Sequence, residues 1–258
     1  MKILNSILFL VLLASCSKPT ISIPKKESSL KHLPMALWYD AETHQEDTDF
    51  RNGLIDRSPF DRTCLSDVYP KVEYELSTGI PLFKSSYRNY LYCENLDLAP
   101  LSSESFTIII AFVPTNGVEL LTVTDGTEEI LGIKWLNKEG LIVRTGFSSE
   151  ALIQRTNSLV HDNSITVLKF VYNKNRATNN ERQELWINDS KVDLIPFTAS
   201  TINSGEIHNL SPDLTLKAST ATEISSLFLF EGELTQEQNR DLNCYLKKKF
   251  RTDVLNCN

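Results

Sequence analysis

FTIIIAF, at residues 106–112, is a nearly continuous apolar run that is rich in β-branched side chains. A run of this kind suits a β-strand that is buried on both faces. The turn-forming sequence Pro114-Thr115-Asn116-Gly117 follows it directly. The stretch therefore predicts a central strand, and the chain around it is expected to be rich in β-structure.

Short strands and tight turns alternate on the C-terminal side of this run. Asp125-Gly126 and Lys138-Glu139-Gly140 separate three apolar segments, residues 118–124, 130–135 and 141–145. Such spacing is typical of an antiparallel meander. Further strands are predicted at 165–172, 184–187, 191–195, 214–217 and 224–230, with 184–187 and 191–195 forming a hairpin. The fold class we expect is all-β, a two-sheet antiparallel jelly-roll sandwich.

One helix is predicted near the C-terminus. Thr235 and Gln238 have the spacing of a capping box. Apolar side chains then recur on one face of the helix, at Leu242, Tyr245, Leu246 and Phe250. We expect this single C-terminal helix to pack on the sandwich through that stripe.

The first sixteen residues have the composition of a secretory signal. Lys2 precedes an apolar stretch, and Leu13-Ala14-Ser15 leads into Cys16. The segment resembles a bacterial lipoprotein signal, which implies cleavage after residue 15 and acyl chains such as palmitate on Cys16; an ordinary signal peptide is the alternative. An apolar stretch this short does not span a membrane, but two or more acyl chains anchor a protein stably.

The resemblance to lipoproteins also implies a domain layout and a location. Residues 1–15 are the expected signal peptide, 16–33 the lipidated cysteine and a polar tether of about 20–25 Å, and 34–258 the sandwich domain. The expected location is the bacterial cell envelope. Ser17 stands where an aspartate marks inner-membrane retention in enterobacterial lipoproteins, so its presence favours the outer membrane.

Composition excludes one class of partner. The 258 residues carry a net charge of −7, whereas nucleic-acid binding depends on neutralising phosphates. The basic cluster of Lys247, Lys248, Lys249 and Arg251 lies in the last turn of the predicted helix, where cations suit the helix dipole. We therefore expect no nucleic-acid partner, and a membrane-surface role for the helix is the less favoured interpretation.

Four cysteines remain besides Cys16. An even number in an exported chain suggests two disulfides, and three pairings of Cys64, Cys93, Cys244 and Cys257 are possible. Proximity in sequence favours Cys64–Cys93 and Cys244–Cys257. A zinc site is the alternative, but the chain has no CxxC and its four histidines lack ligand spacing.

Several short segments resemble the concanavalin A-like (LamG-like) family. Residues 36–41 (ALWYDA) are similar to its LWLDA opening, and 55–58 (IDRS) to the D-x-S segment that follows. Tyr90-Leu91 before Ser105-Phe106-Thr107, and residues 184–189 (ELWIND), match later passages. The final strand and the helix around 245–250 (YLKKKF) are the most specific part. The resemblance, over residues 36–250, implies a jelly-roll sandwich and often a calcium ion at its rim.

Chemical motifs give little support for catalysis. Glycosidases of this fold use carboxylates two residues apart on one strand, but their ExDxE signature is absent. Glu73 and Glu75 have that spacing and are more simply the wet face of a strand. The chain also lacks GxSxG, HExxH, P-loop and GxGxxG motifs. We therefore predict no catalytic residues.

Binding residues can be proposed only as candidates. Asp125 could donate oxygens to calcium, although Asp125-Gly126 is equally explained by a turn. No other cofactor is expected. Tyr87 and Tyr90, expected in exposed loops, are candidates for sugar contact, whereas Trp38, Trp135 and Trp186 are expected in the core because each lies in an apolar strand pattern.

Three functions follow from these features. The first is a membrane-tethered, non-catalytic surface lipoprotein whose lectin-like domain binds a glycan or a protein. The second is a divergent polysaccharide hydrolase. The third is a structural envelope lipoprotein without a small ligand.

Overall fold

A computed structural model describes residues 30, 32–41, 56–60, 62, 71–74, 81–84, 90–114, 119–135, 140–156, 165–197, 203–219 and 224–257. These residues form two antiparallel sheets and one α-helix. The eight-stranded sheet contains β1 (Met35–Asp40), β2 (Lys71–Tyr74), β3 (Pro81–Lys84), β5 (Ser105–Phe112), β10 (Thr166–Asn173), β11 (Gln183–Ile187), β12 (Ser190–Val192) and β15 (Ile224–Glu231). The seven-stranded sheet contains β4 (Tyr90–Leu96), β6 (Glu119–Asp125), β7 (Glu128–Trp135), β8 (Leu141–Thr145), β9 (Leu152–Thr156), β13 (Ile195–Pro196) and β14 (Leu214–Ser219).

The order of the strands mixes segments that are distant in sequence. The eight-stranded sheet runs β12-β11-β10-β5-β15-β3-β2, and β1 pairs with β15. The seven-stranded sheet runs β13-β9-β8-β7-β6-β14-β4. The predicted meander is the β6-β7-β8 part of that order, and β9, which was not predicted, extends it. The prediction of an all-β, two-sheet sandwich with one C-terminal helix is confirmed.

The main core lies between the two sheets and explains half of the FTIIIAF run. Alternate residues of β5, Phe106, Ile108, Ile110 and Phe112, belong to one buried cluster with apolar residues of the seven-stranded sheet. Side chains that alternate along a strand point to opposite faces of the sheet, so this set fills the inner face of β5.

The other half of the run lies in a second core. Ile109 and Ala111 of β5 are buried on the outer face of the eight-stranded sheet, together with Phe228 and Phe230 of β15. The C-terminal helix α1 (Gln236–Phe250) covers them with three buried side chains, Leu242, Leu246 and Phe250. The strand is thus buried on both faces, as its uninterrupted apolar pattern predicts.

The ends of α1 are fixed by local contacts. Thr235 is the N-cap, and both hydrogen bonds of the predicted capping box with Gln238 are present. After α1, the chain turns at Arg251 with a positive φ, and the Cys244–Cys257 disulfide ties the tail back to the helix. Leu255 of this tail is buried in the second core. The predicted pairing of Cys244 with Cys257 is therefore confirmed.

A buried ion cluster joins α1 to β1. Asp40 is fully buried and forms a salt bridge with Lys249, whose Nζ also donates to Ser226 Oγ at 2.9 Å. The guanidinium of Arg57 lies 3.7 Å from the other Asp40 oxygen and stacks over Trp38. Residues 36–41 (ALWYDA), which resemble the LWLDA opening, thus hold the helix through Asp40.

Asp56, of the D-x-S segment, holds the next part of the chain against β1. Its carboxylate accepts hydrogen bonds from the backbone amides of Trp38, Ser58 and Arg62, each at 2.9 Å, and from Ser58 Oγ. The two segments that resemble the concanavalin A-like family at residues 36–41 and 55–58 therefore have structural roles in this chain, through Asp40 and Asp56.

Two expectations about local structure are wrong. The return strand predicted at 191–195 is divided: β12 pairs with β11, whereas β13 crosses to the other sheet and pairs with β9. Trp186 is not in either core; it is half-buried on the outer face of β11, with Lys169 Nζ 4.1 Å from its ring centroid. A tryptophan that alternates with core residues on a strand must point away from that core.

Candidate functional site

The two outer faces of the sandwich differ in what covers them. Helix α1 packs on the eight-stranded sheet, whereas no described helix or strand packs across the outer side of the seven-stranded sheet. We call this second surface the open face. Its side chains are mostly polar, and the register places them in rows across the strands, among them Lys217, Thr122, Gly132, Arg144 and Ile153 in one row.

Gly132 lies at the centre of the open face and provides no side chain. Gly132 is opposite Thr122 of β6 and Arg144 of β8. The Glu129 carboxylate folds over it and takes the space that a Cβ would fill, and Lys134 lies beside it. We call these five residues, Thr122, Glu129, Gly132, Lys134 and Arg144, the Gly132 dish. A glycine inside a strand often marks a place where another group approaches the backbone closely.

Ion pairs partly satisfy the charges of the dish. Lys134 Nζ lies 2.6 Å from Glu129 Oε2, and Arg144 Nε lies 4.0 Å from Glu129 Oε1. Arg144 also donates from Nη2 to Ser148 Oγ at 3.2 Å. One carboxylate therefore faces two cations, and only the lysine is within hydrogen-bonding distance of it.

Two polar atoms of the dish are buried and lack a hydrogen bond within the described part of the chain: Thr122 Oγ1 and Arg144 Nε. Thr122 is only 3% exposed. Buried polar atoms are nearly always hydrogen-bonded, because leaving one unpaired costs about 1–3 kcal/mol. Two such atoms around one glycine indicate a place where a polar ligand or water completes the hydrogen bonding.

Apolar side chains border the open face on the β13 edge. Ile195 and Phe197 are 40% and 43% exposed. The Arg155 guanidinium lies 5.7 Å from the centroid of the Phe197 ring, and its Nε is another buried donor without a described partner. This edge offers an apolar surface and a cation beside the polar dish.

A concave region with a volume of about 560 Å³ lies beside β11 and β12, and its lining extends to Leu194, next to β13. Its charged groups pair with one another: Glu184 lies 2.8 Å from Lys191 Nζ and 3.6 Å from Arg176 Nη2, which also lies 2.9 Å from Glu233. Arg176 Nε and Gln183 Oε1 of this region also lack a hydrogen bond among the described residues. The region is therefore a second candidate, and we favour the Gly132 dish because it lies on the sheet face that no described helix or strand covers.

Near that region, Trp186 lies under two lysines. Lys169 Nζ and Lys191 Nζ are 4.1 Å and 5.9 Å from its ring centroid. Burial lowers the pKa of Lys169, while Asp189 and Glu184 oppose that shift. The ring is covered rather than presented to a ligand.

The predicted site residues are not brought together. Asp125 ends β6 and accepts a hydrogen bond from the Ser211 amide at 3.0 Å, in keeping with a role in the turn. Among the described residues, no group of three or more His, Cys, Asp or Glu side chains could hold a metal ion. Tyr90 begins strand β4 instead of lying in a loop, and Tyr87 lies outside the described residues. Sugar contact by either tyrosine stays a prediction.

The remaining candidates fall partly outside the described residues. Cys16, with the signal and most of the tether, is among them, as are Cys64 and Glu75. Cys93 is buried and disulfide-bonded, but its partner is not among the described residues. Leu30 and Leu33, which the sequence places in the tether, are buried in the second core. No helix within the described ranges has the length and apolarity to cross a membrane.

Sequence reasoning missed the Gly132 dish. The one local signal was Gly132 itself, an isolated glycine within the apolar segment 130–135. Thr122, Glu129 and Arg144 belong to three different strands, and only the register of the sheet brings them to one place.

The fold defines a class, that of two-sheet antiparallel β-sandwich domains. No family model matches the chain, and no curated protein sequence is similar to it. Solved structures are similar in fold. The binding domain of botulinum neurotoxin serotype D superposes with a TM-score of 0.51 at 12% identity, over 85% of this chain and 53% of that one. The chain thus spans about half the length of that structure.

A second similar structure is domain 4 of AbnA, an extracellular GH43 arabinanase from Geobacillus stearothermophilus, solved in complex with arabinotriose. It superposes with a TM-score of 0.50 at 13% identity, over 80% of this chain and 96% of that one. At such low identity, both similarities show the fold alone.

Proposed function

We propose that the protein is a lipid-anchored protein of the bacterial cell envelope whose sandwich binds a glycan on its open face without hydrolysing it. The observation that carries this proposal is that two buried polar atoms around Gly132, Thr122 Oγ1 and Arg144 Nε, have no hydrogen bond among the described residues. Sugars offer many hydroxyl groups, each of which donates and accepts hydrogen bonds. A sugar hydroxyl is therefore suited to form a hydrogen bond with either atom.

The position of α1 on the sandwich also favours the open face as the binding surface. The outer side of the eight-stranded sheet is closed by α1 and the second core, so a ligand there would have to displace packed side chains. On the open face, a ligand would have to move only the partly exposed side chains of Glu129 and Lys134. The arabinanase domain with the same fold was solved with arabinotriose, which favours a glycan as the class of ligand.

The anchor is proposed from the sequence. Leu13-Ala14-Ser15-Cys16 has the form of a lipoprotein signal, and a net charge of −7 disfavours a nucleic-acid partner. Growth with an alkyne-labelled fatty acid should label the wild-type chain and leave Cys16→Ser unlabelled. Equal labelling of both chains would exclude Cys16 as the attachment site, and membrane fractionation then reports whether the outer membrane is the location.

Glycan binding is tested on an array with the full chain in detergent. We expect wild-type protein to bind at least one glycan, and Thr122→Val to bind it at least tenfold more weakly, because valine has the same shape but no hydroxyl. Thr215→Val, at the margin of the same face, is the matched control. Array binding that Thr122→Val leaves unchanged would move the site elsewhere, and release of shorter sugars from a bound glycan would favour the hydrolase hypothesis.

A protein ligand is the second candidate, because Ile195 and Phe197 are exposed apolar side chains on an edge strand. Contiguous exposed apolar patches mark protein or membrane interaction sites, or ligand-binding grooves. A double variant, Ile195→Ser with Phe197→Ser, should abolish such a contact and preserve glycan binding. An array without hits, combined with loss of a purified partner in this variant, would favour the protein ligand.

A further inference from the structure

We infer that the ligand of the Gly132 dish carries a carboxylate, as acidic sugars do, and that Glu129 holds the place of this carboxylate until the ligand displaces it. The inference rests on the proposed function, since it names the chemical class of the glycan bound at the same site. It begins from the position of Glu129, whose side chain folds back over Gly132 instead of extending into solvent.

The first step is the contact that Glu129 makes. Its carboxylate is 2.6 Å from Lys134 Nζ and 4.0 Å from Arg144 Nε, directly above the glycine. A carboxylate from outside, placed over Gly132, would meet the same two cations. Because one carboxylate replaces another, the exchange leaves neither cation buried without a partner, which avoids the main cost of breaking a half-buried ion pair.

The second step is a mismatch between Glu129 and its partners. A guanidinium prefers two parallel hydrogen bonds to a carboxylate, but the Arg144 Nε lies 4.0 Å from the nearest Glu129 oxygen and makes no hydrogen bond with any described residue. A ligand is not tied to the backbone of β7, so its carboxylate can approach Arg144 more closely. Thr122 Oγ1, on the other side of Gly132, remains for a hydroxyl of the same sugar.

The third step is the charge of the surrounding surface. Lys217 lies opposite Thr122, and Arg155 lies on the strand next to Arg144. Acidic side chains lie nearby as well: Glu119 is the cross-strand neighbour of Lys134, and Glu128 accepts a hydrogen bond from the backbone amide of Ser148, whose hydroxyl contacts Arg144. Around Gly132 itself, the cations Lys134, Arg144, Lys217 and Arg155 outnumber Glu129 and Glu119, although the whole chain is acidic. Opposite charges at this spacing attract, and the attraction weakens with salt.

Glu129 then acts as an internal competitor. The dish is free only in the molecules whose Glu129 side chain has moved away, and the apparent affinity for a ligand falls by that fraction. Removing the charge of Glu129 should therefore raise the affinity for an acidic ligand. For a neutral ligand whose hydroxyl donates a hydrogen bond to the Glu129 carboxylate, the same change should lower the affinity.

Because removing the charge of Glu129 should change the affinities for acidic and neutral ligands in opposite directions, a comparison of the two classes of ligand tests the inference. The full chain in detergent is titrated with a panel of uronic-acid and sialic-acid oligosaccharides, each paired with its methyl ester. We expect an acid form to bind at least tenfold more tightly than its ester, with affinity falling as salt rises. Glu129→Gln should raise the affinity for the acid form about 3- to 10-fold, and Arg144→Gln should lower it at least tenfold.

Matched controls lie on the covered side of the sandwich. Glu237→Gln and Lys248→Gln change exposed charges on α1 and should leave the affinity unchanged. Thermal unfolding checks that the variants of the dish are folded, and the ester comparison needs no variant at all.

Two results separate failure of this inference from failure of the proposed function. If neutral glycans bind at the dish and Glu129→Gln weakens them, the site is a glycan site but Glu129 is a hydrogen-bond acceptor, and the inference is overturned. If neither acid, ester nor any glycan on the array binds, the proposed function itself fails and the inference fails with it.

Discussion

The two outer faces of the sandwich follow the same alternation but use it for opposite purposes. On the eight-stranded sheet, outward positions carry Ile109, Phe228 and Phe230, and α1 buries them in a second core. On the seven-stranded sheet, the outward positions include Thr122 and Arg144, of which Thr122 Oγ1 and Arg144 Nε are buried without a hydrogen bond in the described part of the chain. The covered face stabilises the fold, whereas the open face leaves polar groups for a ligand to complete.

The largest effect that distinguishes the two faces is expected from Phe228→Ala. Phe228 is fully buried and stacks with Trp38 and Phe230, so its loss should lower the free energy of unfolding by about 3–5 kcal/mol. Urea unfolding measures it. The control Ile142→Ala, at a half-buried position of the open face, should cost about 1 kcal/mol or less. Equal costs would show that the two faces contribute alike to stability.

A somewhat smaller effect is expected from the ion cluster that holds α1. Lys249→Met leaves Asp40, which is fully buried, without its lysine, and breaking one side of a buried pair costs about 3–5 kcal/mol. Arg57 remains near Asp40, so we expect the lower end of this range. Lys248→Met, one residue away and exposed, should change stability by less than about 0.5 kcal/mol.

The double variant Asp40→Asn with Lys249→Met removes both charges and should recover part of the loss. A double variant that is as unstable as the sum of the two single variants would show that the two side chains act independently.

A third effect is expected from the Cys244–Cys257 disulfide. The two cysteines are 13 residues apart, and a loop of this size stabilises the folded state by about 3 kcal/mol at most. We expect Cys244→Ser to lower the free energy of unfolding by about 2–3 kcal/mol, since Leu255 keeps its place in the second core through apolar contacts. A cost near zero would mean that this apolar contact alone holds the tail.

The covered face was largely predictable from the sequence, because each of its elements has a local pattern. The uninterrupted run of residues 106–112 indicated burial on both faces, and Thr235 with Gln238 indicated the start of α1. The pairing of Cys244 with Cys257 followed from their proximity along the chain. Each of these signals lies within one short segment.

The open face was not predictable, because it depends on register between strands. Nothing in the segment 119–135 places Thr122 opposite Gly132, and bulges within the β6–β7 pair shift the pairing further. The division of residues 190–196 between two sheets has a related cause: β12 pairs with the adjacent strand β11 as a hairpin, whereas β13 pairs with β9, which is distant in sequence. Trp186 was misplaced because the expectation weighed its apolar neighbours and not the alternation of Gln183, Leu185 and Ile187 into the core.

The smallest effect on stability, and the sharpest test of the comparison, is expected from Gly132→Ala. A Cβ at this position would meet only the tip of the Glu129 side chain and, at 3.6 Å, Lys134 Cε, and both can move. Alanine also restricts the unfolded chain, which offsets small losses. We expect the free energy of unfolding to stay within about 0.5 kcal/mol of wild type, with glycan affinity at least tenfold lower because the methyl group fills the dish.

Urea unfolding and glycan titration on the same preparation measure both quantities. A loss of stability comparable to that of Phe228→Ala would show that the dish is a packed part of the fold. Unchanged affinity would show that the ligand does not reach Gly132. On the covered face, the removal of a ring should cost stability, whereas on the open face the addition of one methyl group should cost only binding. That opposite response is what a face kept free for a ligand requires.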